Sequence, residues 1–523
     1  MEHHGAESYY VIGEGLLTES GGGRPRPLAA EVEATVPPFR FSRMGPSGTG
    51  AQLGDLTRQK LAAAMTSGAK DPNGRIPSGF TYLGQFIDHD LTADKTNVML
   101  GTDVSPDRML QGRSPVLDLD SLYGAGPTDP VSAQFFSDGL RLKIGTAIQP
   151  LLAGFDLPRV EKGATKAAKR AAQIPEHRND ENLVVAQTHL AFIRFHNRVC
   201  DTLPKSTPPG QLFSRARRKV TKHYQWMVKT DFLPRIVDKA IVNDVFTNGR
   251  KIFEVGATPT DMPTMPIEFS IAAYRLGHSM VRAAYNWNVN FDNGGGTLPL
   301  LFQFSGTSGD LGGELHLLQI WIADFRRLYN FGEAGREDLV VPAAKFNRAQ
   351  RIDTKLVNPL ADLPQGAIGG PAVPDGSEQR NLAYRNLTRA NMVALATGQQ
   401  MAAFVKSKGV AVTPLTKGQI RDGNGGASLE ELTKKQRQRV VDDTPLWFYI
   451  LREAELNGGR LTGVGGRIVA ETFHRAMEGA TFSIVRDPTW RPQLGPDTNT
   501  FRMVDLLLFA ANGKANIINP LGG

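Results

Sequence analysis

The feature that most constrains this chain is the helical spacing of its apolar residues, which recurs in segment after segment. Leu183, Ala186, Leu190 and Ile193 follow a three-four-three spacing that puts them on one face of an α-helix. Comparable patterns run through 211–245, 266–284, 311–329, 384–408, 428–440 and 443–457. Gly- and Pro-rich connections such as 291–313 and 362–378 separate them without the composition of a long linker. Neither an internal repeat nor a coiled-coil heptad is present. The expectation is a mainly α architecture with little β-structure, in one large domain over 39–513. Residues 1–38, rich in Gly, Pro and Glu, read as an extended N-terminal arm, and 514–523 as a C-terminal tail. His3 and His4 fall in the arm, away from any metal site.

Composition narrows the function classes. With 523 residues, 41% hydrophobic and 21% charged, the chain has an ordinary globular balance and can bury a large core. No stretch approaches the roughly 20 apolar residues of a transmembrane helix. The start, MEHHGAESYY, lacks a basic region followed by an apolar one. The expectation is a soluble protein, cytoplasmic or exported without a cleaved signal peptide. A single cysteine, Cys200, excludes an intrachain disulfide, so stability rests on packing and on bound ions or a cofactor. The formal charge is +8, with basic runs at Arg215 to Lys222 and Lys434 to Arg439. Acidic residues are interleaved elsewhere, which reads as solvated helix faces with no nucleic-acid partner.

The densest chemistry lies in Tyr82-Leu-Gly-Gln-Phe-Ile-Asp-His-Asp90. On a helix, Gln85, Asp88 and His89 are three and four residues apart and share a face, whereas Asp90 is turned about 100° from His89. One turn can therefore serve two sites. A lone histidine among apolar residues is usually a satisfied core residue, so the signal has to come from its company. That company is Glu176-His-Arg178-Asn-Asp-Glu181-Asn-Leu, ahead of a helix carrying Thr188-His189 and Arg194-Phe-His196-Asn197-Arg198. Arg178 and Glu181, three apart, can look into the same pocket; taken alone they would be an ordinary exposed ion pair.

Taken together, GQFIDHD, RNDEN and THLAFIRFHNRV, followed in order by AAYRLGHSMV and TPLWFYILREAE, resemble the animal-type heme peroxidases. These belong to the peroxidase-cyclooxygenase superfamily, which also contains fatty-acid dioxygenases. The resemblance runs from about residue 40 to 510, and the lack of disulfides and of a signal peptide is like that of bacterial members. It implies a helical heme peroxidase fold and heme b. His89 and Arg178 match the family's distal pair, a base that moves a proton between peroxide oxygens and a fixed cation that stabilises developing charge. Gln85 matches a position that contacts distal water or halide. Asp88 and Glu181 match carboxylates that form ester bonds to heme methyl groups. Asn182 stands where some members have a methionine that makes a further link, which counts against efficient chloride oxidation.

On the proximal side, His278 in Tyr274-Arg275-Leu276-Gly277-His278 matches the iron ligand, and Arg275 matches an arginine that pairs with a heme propionate. Gln399 aligns where an asparagine usually accepts the second ring nitrogen of that histidine. His189, His196, His223, His316 and His474 read as structural. The stretch Ser114-Pro-Val116-Leu-Asp118-Leu-Asp120 puts oxygen donors at alternate positions but lacks the glycine and terminal glutamate of an EF-hand. In the resembling family the corresponding loop, with the aspartate after the distal histidine, here Asp90, binds calcium.

The function these residues imply is reduction of hydrogen peroxide with oxidation of a small organic reductant or a halide. The alternative is a heme-dependent fatty-acid dioxygenase. Those relatives place a radical tyrosine three residues before the proximal histidine, where this chain has Arg275; Tyr274 falls on another helical azimuth. A non-enzymatic heme- or calcium-binding protein would lack the acid-base pair that His89 and Arg178 supply.

Overall fold

In the computed structural model, which describes residues 8–10, 16–18, 39–50, 52–68, 70, 74–96, 98–148, 155–368 and 372–523, the apolar periodicity becomes helices wrapped around one central helix, Leu183–Asp201. That helix is buried nearly all round, as expected of one in the middle of a large core. It packs against Gly79–Leu91, Leu212–Met227 and Met503–Ala510. The rings of Phe86 and Phe192 stack at 4.4 Å, with Tyr224 edge-on to both. Strands are few: Phe41–Ser42 pairs in parallel with Met265–Pro266, Ala284–Tyr285 antiparallel with Gly296–Thr297, and Ser8–Tyr10 antiparallel with Leu16–Thr18. The mainly α expectation agrees with this architecture. Apart from that hairpin, the proposed arm 1–38 lies outside the described residues, as do His3 and His4.

Several segments depart from regular helix in ways that matter for the site. Segment 211–245 is a helix Leu212–Met227, a π turn Val228–Phe232, a turn Leu233–Ile236 and a helix Lys239–Asn248. Segment 266–284 is a π turn Glu268–Ala272, a 3-10 turn Ala273–Leu276 and a single α turn Gly277–Met280. The 384–408 pattern breaks between Leu382–Met392 and Gly398–Ser407, where Ala394 adopts φ 44° and Thr397 starts the second helix with a capping box. Segment 428–440 begins its helix late, as Lys434–Asp442, and 443–457 forms Leu446–Leu456.

The expected helix at 311–329 is instead three short 3-10 turns. Gly312 and Gly313 take φ of 70° and 87°, which a helix cannot absorb, and the apolar side chains find other partners. Trp321 is stacked between Phe291 at 3.8 Å and Phe304 at 4.2 Å. The segment read as a tail, 514–523, contains a turn Ala515–Ile518 whose Ile518 is buried, so the packed structure runs past 513. Among the described residues no helix is long and apolar enough to cross a membrane.

Candidate functional site

Helix Gly79–Leu91 buries Leu83, Phe86 and Ile87 in the core and turns Thr81, Gln85, Asp88 and His89 towards a cavity. Arg275, Leu276, Gly277 and His278 line the same cavity. Its remaining walls are largely apolar, including Phe80, Phe232, Met280, Val281, Leu298 and Phe302, and it encloses about 740 Å³, part of it open to solvent. The two histidines singled out in sequence, 189 residues apart in the chain, thus line one cavity.

His89 is 1% exposed, and its Nδ1 lies 2.8 Å from Asn179 Oδ1. Burial, reinforced by the charge of Arg178, lowers its pKa to about 3, so the ring is neutral at ordinary pH. Glu181 Oε1 lies 3.8 Å from His89 Nε2 and accepts a hydrogen bond from the Gln85 amide. Gln85 Oε1 in turn accepts from Asn182 Nδ2 at 3.0 Å, while Asn182 Oδ1 caps the helix Leu183–Asp201 by accepting from the Val185 N–H. Gln85 is therefore clamped between two residues of the RNDEN string.

Arg178 sits elsewhere than expected. Its guanidinium does not line the cavity. Nη2 donates to the backbone carbonyls of His89 at 3.1 Å and Thr92 at 2.6 Å, and Nε and Nη2 bind Glu176 at 2.9 and 2.8 Å. A cation on the unsatisfied carbonyls of a helix C-terminus is where charge is most stabilising. Burial opposes ionisation of Glu176, but the charges of Arg178 and Arg113 outweigh it and hold the carboxyl well below the usual range. Glu181 is likewise fully buried, accepts from Gln85 and does not line the cavity, so Arg178 and Glu181 do not face it side by side. Asp88 does line it, with Arg275 Nη1 at 3.5 Å from its Oδ2.

On the other wall His278 is 8% exposed. Its Nδ1 lies 2.9 Å from the side-chain amide of Asn386, on helix Leu382–Met392. Gln399 is not near it: that amide donates to the Val441 carbonyl at 2.9 Å and to Thr444 Oγ1 at 2.8 Å, tying the start of Gly398–Ser407 to the chain before Leu446–Leu456. The expectation for Gln399 is corrected accordingly, since the break after Met392 aims that side chain at another loop. Asn386 Oδ1 is buried without a hydrogen-bond partner among the described residues; turning the amide lets it accept the His278 Nδ1–H, the arrangement that leaves Nε2 as the metal-binding nitrogen. A Cβ added at Gly277 would meet no protein atom within 4 Å, so this position borders open space. Trp447 stands edge-on to His278 at 6.4 Å. Tyr274 also lines the cavity, stacked on Phe269 at 4.7 Å, with its buried hydroxyl unpartnered among the described residues.

A void with a histidine on a buried amide, a glycine facing open space, apolar walls and an arginine at the rim fits a planar metal-bearing macrocycle. The sequence pointed to His89, Gln85, Asp88, Arg275 and His278. It missed Asn179, Glu176 and Arg113, and it missed Asn386. Asn179 lies inside RNDEN itself, between Arg178 and Glu181, which was the only signal available.

The oxygen-rich loop lies behind Asp90. Ser114, Val116, Asp118 and Asp120 are all buried, as is Asp90. Asp90 accepts from Ser121 Oγ at 2.8 Å, Ser121 N at 3.2 Å, Leu119 N at 3.3 Å and the Tyr224 hydroxyl at 3.4 Å. Arg217 reaches the Asp118 carbonyl at 3.4 Å and Asp120 Oδ1 at 3.3 Å. Asp118 Oδ1 is buried with no hydrogen-bond partner among the described residues. Burial and the charge of Asp120 push Asp90 up to about 7. Among the described residues no three His, Cys, Asp or Glu side chains converge as a ready metal site.

The animal haem peroxidase family matches residues 92–308. A peroxidase-like protein of Margaritifera margaritifera is 25% identical over 288 residues, which is 45% of this chain and 35% of that protein. Thyroid peroxidase of Mus musculus is 25% identical over 189 residues, 34% of this chain and 20% of the relative. The chain thus spans about a third or less of the length of these two relatives. Among solved structures, peroxidase A of Dictyostelium discoideum superposes with a TM-score of 0.61 at 16% identity, covering 98% of both chains. A fatty acid alpha-dioxygenase of Arabidopsis thaliana gives 0.52 at 13% identity over 90% of this chain and 76% of that one. Residues 92–308 thus match the animal haem peroxidase family, and the chain shares the fold of the Dictyostelium peroxidase along nearly its whole length.

Proposed function

We propose that this chain is a heme peroxidase that reduces hydrogen peroxide while oxidising a small organic donor or a halide. The observation that carries the reading is that His89 and His278 line one cavity, each with its Nδ1 held by a buried asparagine. When bound, heme b supplies the iron at which peroxide takes up two electrons, later returned by the donor. His278 is the residue that would hold the iron, and Arg275 is the rim cation for a propionate. His89, kept neutral by burial, takes a proton from one peroxide oxygen at Nε2 and delivers it to the departing one. Gln85, clamped by Glu181 and Asn182, presents a fixed polar edge beside it. Arg178 acts through His89: it pins the helix end that carries the base and adds positive potential there. The apolar walls, and the bonds that tie Asn182 to Gln85 and Val185, favour an aromatic or other organic donor over chloride.

Asp88, which lines the cavity, is the first candidate for an ester link to heme; Glu181 has to release Gln85 before it can make a second. Asp90, Ser114, Val116, Asp118 and Asp120 remain the proposed calcium loop. Arg217 pairs with Asp118 and Asp120, and Asp118 Oδ1, without a hydrogen-bond partner among the described residues, suits a hard ion. Calcium would steady the helix turn holding His89, so its verified removal is expected to slow turnover; unchanged turnover would count against it.

A fatty-acid dioxygenase is the second reading, favoured by Tyr274. Because 268–276 is π and then 3-10, Tyr274 does not keep the azimuth of a regular helix, and its ring lines the cavity with His278. The test is to supply heme-loaded protein with peroxide plus guaiacol or bromide, and separately with oxygen plus linoleate. Rapid turnover of the first pair is expected; turnover confined to linoleate would replace this reading by the second.

A further inference from the structure

Behind the cavity wall two histidines share one amide. His89 Nδ1 lies 2.8 Å from Asn179 Oδ1, and Asn179 Nδ2 lies 2.9 Å from His189 Nδ1. All three residues are buried. His189 Nε2 has no hydrogen-bond partner among the described residues, and its ring stands edge-on to Phe86 at 5.7 Å. An amide oxygen only accepts and an amide nitrogen only donates. In this orientation His89 Nδ1 has to carry a proton and His189 Nδ1 has to lack one. The consequence for His89 is a lone pair on Nε2, the ring nitrogen that Asn179 does not hold.

A competing pull exists. Glu181 Oε1, 3.8 Å from His89 Nε2, would favour a proton on that nitrogen, but it lies beyond hydrogen-bond reach and accepts from Gln85 instead. We propose that Asn179 and His189 are positioning residues that select the His89 tautomer whose Nε2 accepts the proton of the substrate. His189, which reads from sequence as a plain core histidine, anchors the far end of the amide and keeps Asn179 from turning over. The catalytic consequence rests on the peroxide-reducing reading; the tautomer assignment does not.

The charged groups facing His89 are Arg178, Glu176, Arg113 and Glu181, and Glu176 is the one facing His189. None of these changes in the following variants. The test is nitrogen-15 NMR of ring-labelled histidines in the full chain carrying ferrous, carbon monoxide-bound heme, which is diamagnetic. The expected result is a proton on Nδ1 of His89 and on Nε2 of His189. In Asn179→Asp, the carboxylate still accepts from His89 but offers His189 no donor. His189 is then expected to move its proton to Nδ1, while His89 keeps its own there. In Asn179→Leu, His89 is expected to become a mixture of tautomers and peroxide consumption to fall about 100-fold. A wild-type His89 protonated on Nε2, or one whose tautomer is unmoved in Asn179→Leu, overturns the proposal. The stated tautomers in a protein that does not consume peroxide would instead refute the peroxidase reading alone.

Discussion

Replacing Arg178 by methionine separates a structural cation from one that only touches substrate. The guanidinium holds two carbonyls at the end of the helix bearing His89, at 3.1 and 2.6 Å, and it is 2% exposed. Charge-assisted bonds of this kind contribute about 1.5–3 kcal/mol each. Glu176 stays paired with Arg113, so the full penalty of an orphaned buried carboxylate does not arise. The expected loss is therefore about 3–5 kcal/mol. An unfolding entropy of about 2.1 cal/mol/K per residue over 523 residues is about 1.1 kcal/mol/K, which translates the loss into a Tm lowered by about 3–5 °C. Differential scanning calorimetry of the heme-free protein reads this without any contribution from turnover. Arg178→Lys, which keeps the charge but cannot span Glu176 and both carbonyls, should fall between the two. A methionine variant as stable as wild type, yet inactive towards peroxide, would refute the placement of Arg178 behind the helix end.

Three further outcomes follow from the same geometry. Asn386→Ala is expected to weaken heme retention about 10–100-fold, measured by transfer to apomyoglobin, while Gln399→Ala leaves it within about threefold; the reverse would restore Gln399 to the proximal side. Burial depresses His89 and His189 to about 3 and His177, His196, His223 and His474 to about 4. A folded pKa below the unfolded value of about 6.5 means that the unfolded chain binds protons first. Stability is then fully present above about pH 6.5 and declines towards about pH 4, by about 1.4 kcal/mol per pH unit for each ring. Denaturation midpoints that stay flat across that window would show the rings to be solvated. Heme is expected to resist acidified organic extraction in wild type and to be released by Asp88→Val with Glu181→Gln, the first change having the larger effect because Asp88 lines the cavity. Complete extraction from wild type would exclude ester links.

What could be read in the sequence was chemistry carried by short spacings. GQFIDHD sets Gln85, Asp88 and His89 on one helical face, and YRLGH sets Arg275 and His278 together, because three or four residues make one turn. Partners supplied by distant segments were not legible. Asn386 is 108 positions from His278 and nothing in its local pattern distinguishes it from Gln399. Arg178 was read by its charge, but its principal acceptors are backbone carbonyls, which carry no sequence signature. The azimuth assigned to Tyr274 assumed 3.6 residues per turn where the backbone runs first wide and then tight. At 311–329 the apolar pattern suited a helix, yet paired glycines and aromatic stacking around Trp321 gave those residues other burial.

The central claim is that His278 holds heme iron in the cavity it shares with His89. Its most direct test is the iron–histidine stretch in the resonance Raman spectrum of the ferrous, heme-loaded protein. The band should be present in wild type, absent in His278→Gly, and restored when imidazole is added to that variant. A band that persists in His278→Gly without imidazole would contradict the account.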